Sequence, residues 1–234
     1  MRWIIVFAAL SLAACDVPVA APVTPVSQAP VASGPQHSPE AAAKAFSDVV
    51  RRLEPVAERE CQRRTSDVNC NFKIVVDGRR NQPPNAFQSQ DDDGRPVITF
   101  TVALIAETWN ADEIAFVMGH EAAHHIANHL SRQRENAAAG AVIFAGLATL
   151  TGGSAADVAT AQELGAAVGA RSYSKEFELE ADRLGTVITH RAGYDPLKGA
   201  QFFTRIPDPG NRFLGTHPPN AARYNTVLQT VSQL

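Results

Sequence analysis

The stretch His120-Glu121-Ala122-Ala123-His124 constrains this chain more than any other part of it. It lies in a segment that predicts a helix. Asn110-Ala111-Asp112-Glu113 supplies a cap and early acids, and the apolar pattern runs on to about Leu130. Four residues make just over one turn, so His120 and His124 share a face. Two imidazoles so placed reach one zinc ion at about 2.0–2.1 Å each. Glu121 stands beside them and reaches a water at the metal without binding the metal, which suits a general base.

A catalytic zinc takes a third protein ligand and leaves one position open. The candidates lie in Ser174-Lys175-Glu176-Phe177-Glu178-Leu179-Glu180-Ala181-Asp182. Glu178 and Asp182 are four apart and share a helix face, while Glu176 and Glu180 form the alternative pair. Helical geometry allows either pair to face the metal. His125, about 140° around the helix from His120, and His129, about 180° around, read as surface or packing residues.

The flanking segments predict a mostly α domain of the α+β class, with a small sheet ahead of the central helix. Ser38-Pro39-Glu40 opens a helix to about Arg63, with Pro55 placed to kink or end it. Phe72 to Val76 and Val97 to Val102 read as strands, with 81–85 as loop. Residues 137–150 are small and apolar, too short to span a bilayer, and read as a buried or membrane-facing helix. Residues 155–170, 174–191 and 219–231 read as helices, with a short one opening at Asp195-Pro196.

The first residues read as an export signal. Arg2 precedes the apolar run Trp3 to Leu12, which closes on Leu12-Ala13-Ala14-Cys15. That ending resembles a bacterial lipobox. It implies a signal peptide over 1–14, a lipid on Cys15 and a periplasm-facing lipoprotein of the bacterial cell envelope. Pro18, Pro22, Pro25, Pro30 and Pro35 mark 15–38 as an extended tether, leaving 39–234 as the domain. Cys61 and Cys70 form an even pair in an exported chain, which favours a disulfide. A net charge of −3 without a basic tract offers nothing to nucleic acid.

The H-E-x-x-H helix followed by Ser174-x-x-x-Glu178-x-x-Ala181-Asp182 resembles the HtpX/BepA group of membrane-associated zinc metallopeptidases, with the Oma-type and CAAX prenyl proteases as kin. The resemblance implies a zincin-type domain with its small sheet packed beside the motif helix. It implies one zinc ion per chain on His120, His124 and Glu178, with Asp182 holding a ligand histidine from behind. Thr216-His217-Pro218-Pro219 and Arg223 resemble the group's C-terminal element, which implies His217 and Arg223 near the substrate or the oxyanion. His217 at the open zinc position is the alternative. Asn85-Ala86-Phe87 and the 97–102 strand resemble the edge where extended substrate binds, although Gln88 to Gly94 stands where a glycine-rich turn is expected. The expected activity is hydrolysis of peptide bonds in misfolded or unassembled envelope proteins. A chaperone-like binding module with a repressed or structural zinc is the alternative, and Glu121 is the residue such a module does not need.

Overall fold

The computed structural model describes residues 38–212 and 214–234; the expected signal peptide, Cys15 and the tether up to His37 lie outside them. Helix α1 (Pro39–Arg64) starts where Ser38 accepts a hydrogen bond from the Ala41 amide, with Pro39 in the first turn. Its buried positions Phe46, Val49, Leu53, Val56 and Ala57 follow helical spacing. Pro55 neither ends nor splits it. The proline is exposed, on the solvent side of the helix, where long helices open most readily to accommodate it. Cys61, near the end of α1, is bonded to Cys70 in the following loop.

Three strands follow, β1 (Lys73–Asp77), β2 (Ala86–Gln90) and β3 (Pro96–Thr101), in the order β1-β3-β2. β1 runs parallel to β3 with Ile74 opposite Ile98, and β2 runs antiparallel with Ala86 opposite Phe100 and Gln90 opposite Pro96. Ile98 and Phe100 turn inward from the central strand onto α1 and the later helices. Two expectations change here. Gln88 to Gln90 belong to a strand, and only 91–94 form the turn, which closes as the Gly94 amide donates to the Asp91 carbonyl. Val102 is not strand either, because the Thr101 hydroxyl accepts from the Leu104 amide and starts α2 (Val102–Glu107).

Helix α3 (Ala111–Ile126) carries the histidine motif. It ends earlier than the apolar pattern predicts, because Asn128 adopts left-handed backbone at φ 56° and redirects the chain into α4 (His129–Leu150). Asparagine tolerates that conformation better than most residues. α4 folds back on α5 (Ala155–Ser172) as a hairpin with glycines at its seam. A Cβ on Gly140 would come within 2.1 Å of the Gly165 carbonyl, and one on Gly169 within 2.1 Å of the Asn136 carbonyl. The apolar segment 137–150 is therefore packed on one side only. Val142, Ile143, Leu147 and Leu150 are exposed, contrary to a buried reading. No helix of the described residues is long and apolar enough to cross a membrane.

Helix α6 (Ser174–Arg191) returns across α3, and α7 (Pro196–Ala200), a 3-10 turn (Gln201–Thr204) and α8 (Asn220–Val231) complete the domain. The main core joins α1, the sheet and α3 through Leu53, Phe72, Phe100, Ile114 and Met118, with Ile188 of α6. A second cluster of Phe116, Ala200, Phe203 and Val227 fastens α7 and α8 to α3. The small sheet thus lies beside the motif helix in a mostly α domain.

Candidate metal centre

Helix α3 is held at its start by Asn110, which accepts from the Glu113 amide. The buried Glu113 carboxylate takes a two-pronged pair of hydrogen bonds from Arg205, each 2.7 Å. Two turns further on, His120, Glu121 and His124 meet α6. The helices approach closely because both carry glycine at the crossing. A Cβ on Gly185 would lie 2.8 Å from the His120 amide nitrogen, and one on Gly119 2.9 Å from the Gly185 carbonyl. That approach brings Glu178 and Asp182 to the histidines.

His120 Nε2 and His124 Nε2 are 3.0 Å apart, and the Glu178 carboxylate oxygens lie 3.4 Å and 3.3 Å from them. Tetrahedral zinc bonds of about 2.0–2.1 Å place ligand atoms about 3.3–3.4 Å apart; each imidazole faces its own Glu178 oxygen at that separation, and the two imidazole nitrogens stand a little closer together. These are the His, Cys, Asp and Glu groups of the described residues that converge within 4.8 Å. Glu178 Oε2 is buried and receives no hydrogen bond from the described residues, although His217 Nδ1 is 3.1 Å away. A buried carboxylate oxygen left in that state favours a cation. Burial acts to raise the Glu178 pKa, but the facing imidazoles of His120, His124 and His217 hold it well below the usual range.

Asp182 is fully buried behind His120, whose Nδ1 lies 2.9 Å from Oδ1. Arg223 of α8 donates from Nε to Oδ2 (2.8 Å) and from a terminal nitrogen to Oδ1 (2.7 Å). Its guanidinium also lies over Phe203, 4.1 Å from the ring centre. The resemblance implies Arg223 at the substrate or oxyanion; it borders the cleft, but its two-pronged pair goes to Asp182, and a terminal nitrogen also lies 3.2 Å from His120 Nδ1. His217 stands half-exposed on the rim. Glu121 faces the same cleft, and burial raises its carboxyl above the ordinary value. The cleft encloses about 540 Å³, with Phe116, Val117, Phe202, Phe203 and Ile206 on one side and Pro84 to Ala86 of the sheet edge on the other.

Of the two acidic pairs open to helical geometry, Glu178 and Asp182 face the histidines. Glu176 is exposed, and Glu180 turns to another partner. That partner is His129, which is buried and packs on Phe177, the second of the two readings open to it. The Asn128 turn invalidates its 180° placement and brings its Nδ1 to 2.8 Å from His124 Nδ1. Burial, with His124 beside it, pulls the His129 pKa down to about 4, so the ring is neutral. His125 is a packing residue, its Nε2 bonded to the Asn69 carbonyl and its ring edge-on to Phe72. The acidic run 91–93 makes a turn, in which Asp91 accepts from the Asp93 and Arg95 amides.

A family model described as Peptidase family M48 matches residues 43–231. The chain is 35% identical over 126 residues to a putative beta-barrel assembly-enhancing protease of Vibrio cholerae, a match covering 50% of this chain and 25% of that protein. It is 30% identical over 154 residues to the beta-barrel assembly-enhancing protease of Escherichia coli O157:H7, covering 56% of this chain and 30% of the relative. The match therefore spans about a quarter to a third of these relatives' length.

Proposed function

The chain belongs to peptidase family M48, and we propose that it is a zinc-dependent endopeptidase acting on extended segments of misfolded or unassembled cell-envelope proteins. The observation that carries this reading is the meeting of His120, His124 and Glu178 at zinc spacing on the floor of a cleft, with Glu121 beside them. The names of the relatives, which speak of beta-barrel assembly, support the envelope setting. The lipobox-like ending at Cys15 supports a lipid anchor and a periplasm-facing position.

A zinc ion on His120, His124 and Glu178 would polarise the scissile carbonyl and lower the pKa of water toward ~7. Glu121 takes the proton from the attacking water and passes it to the leaving amine. Its burial keeps its proton affinity above that of an ordinary carboxylate, which suits that exchange. Asp182 and Arg223 fix the His120 ring from behind. Substrate adds as a strand beside β2, the edge of the sheet, where Asn85 and Ala86 border the cleft. The aromatic wall of Phe116, Phe202 and Phe203 favours an apolar side chain next to the cleaved bond.

His217 completes the rim and faces Glu178 Oε2. That contact supports a second reading, a binding module in which the open position is blocked and cleavage repressed.

The test is cleavage of unfolded casein by the zinc-loaded full-length chain beside Glu121→Gln, with zinc content measured in both. Cleavage by the native chain alone, at equal zinc, is expected. Equal zinc with no cleavage by either form, and cleavage restored by His217→Ala, would favour the repressed reading instead.

A further inference from the structure

The two ligand histidines of the proposed centre are held from behind in different ways. His120 meets a carboxylate directly, at Asp182. His124 does not. Its Nε2 faces Glu178 and His120, so Nδ1 is its outer nitrogen, and that atom lies 2.8 Å from His129 Nδ1. His129 Nε2 in turn lies 3.2 Å from Glu180 Oε2, and Arg132 donates to the same oxygen at 2.9 Å. Phe177 stacks on the His129 ring, 4.6 Å between centres and 11° from parallel, and the Arg132 guanidinium lies over the Phe177 ring, 4.3 Å from its centre.

Proton placement along this chain follows from the donors available. When His124 Nε2 gives its lone pair to a metal, the ring's proton sits on Nδ1. His129 Nδ1 must then accept, which leaves the His129 proton on Nε2, where Glu180 accepts it. Every buried nitrogen is satisfied in that arrangement, and the reverse tautomer would present two lone pairs to each other at one end.

We propose that His129 is a positioning residue for His124, with Glu180 and Arg132 fixing the tautomer of His129, so that a carboxylate orients this ligand through an intervening imidazole. The proposal rests on the reading of His120, His124 and Glu178 as the metal site. Metal-bound histidines are commonly oriented by a carboxylate, and loss of such a partner lowers metal affinity about 10–100-fold.

The experiment measures zinc affinity of the full-length chain by competition with a chromogenic chelator, alongside the melting temperature of each metal-free protein. His129→Phe keeps a ring against Phe177 but neither hydrogen bond, and its affinity should fall about 10–100-fold while the metal-free melt holds near native. His129→Asn sets an amide oxygen where Nδ1 accepts, and should recover most of that loss. Should His129→Phe fail to fold, Glu180→Ala decides: its side chain is 40% exposed, and a severalfold loss is expected. Native zinc binding with all three variants within twofold would overturn the relay alone. A native chain that takes up no zinc would overturn the metal site as well. A loss beyond about a thousandfold in Glu180→Ala would make Glu180 a ligand, which also overturns the relay.

Discussion

Asp182 has no exposed surface, yet it is held ionised by two cationic or polar neighbours that come from different helices. Burial acts to raise its carboxyl pKa, but the Arg223 charge and hydrogen bonds, with His120 beside it, bring it below the ordinary value. Asp182→Asn would keep the shape and remove the charge, leaving the buried Arg223 guanidinium without its counter-ion. Breaking one side of a buried pair costs about 3–5 kcal/mol. A urea melt should show a loss of that order, and zinc affinity should fall with it as the His120 ring loses its orienting partner. A variant as stable as the native chain would contradict the pairing of Asp182 with Arg223. At Glu121 the expectation is opposite: Glu121→Gln should retain zinc and lose cleavage, because the amide keeps the side chain's shape and gives up only the base.

The meeting of α3 and α6 depends on residues that carry no chemistry. Gly185→Ala inserts a methyl group 2.8 Å from the His120 amide nitrogen, closer than packed atoms come, so α6 must shift away from α3. Overpacking of this kind costs about 1–3 kcal/mol. The thermal melt should fall, and zinc affinity should fall as well, because Glu178 and Asp182 move with α6. The outer end of α6 is tied differently. The buried Glu60 of α1 bonds Arg191 of α6 as well as Arg63 and Arg64. Burial acts to raise the Glu60 pKa, and the three arginines outweigh it, so the folded value lies below the ordinary 4.5. An acid with a lowered folded pKa stabilises above its unfolded value, and that contribution is lost as pH falls through the folded one. The native chain should therefore lose more stability than Glu60→Gln when urea melts at pH 6 are repeated below pH 4. Equal losses would mean that Glu60 is not clamped as described.

Across the whole molecule, a zinc ion on the proposed α3 and α6 ligands would tie together helices that already meet at the glycine crossing. Chelation should lower the melting temperature on the order of 5–10 °C when zinc had been present at about 100 times its dissociation constant. An unchanged melt would argue that the site is not loaded. Much of this organisation was legible beforehand. The motif helix, the capped start of α1 and the α6 segment each carry a local signal, and the Glu178 and Asp182 face became readable through the pattern they share with the histidine motif. Other parts had no such signal. The β2 segment Ala86-Phe87-Gln88-Ser89-Gln90 lacks apolar alternation, and it becomes a strand only because β3 offers a partner. The end of α3 lay hidden because the apolar pattern continues past it, and a single asparagine in left-handed backbone leaves no periodic trace. That same residue is why the 180° placement of His129 does not hold, although its packing role does. The glycine crossing also shows only when the two helices are laid together. Asn128 is, in mechanical terms, a pivot: α4 extends about 33 Å beyond it, and His129 is the first residue of that arm. A load on the tip near Leu150 reaches the body of the domain as torque at the joint, where Arg132 on Glu180 and the imidazole pair of His129 and His124 stand to bear it.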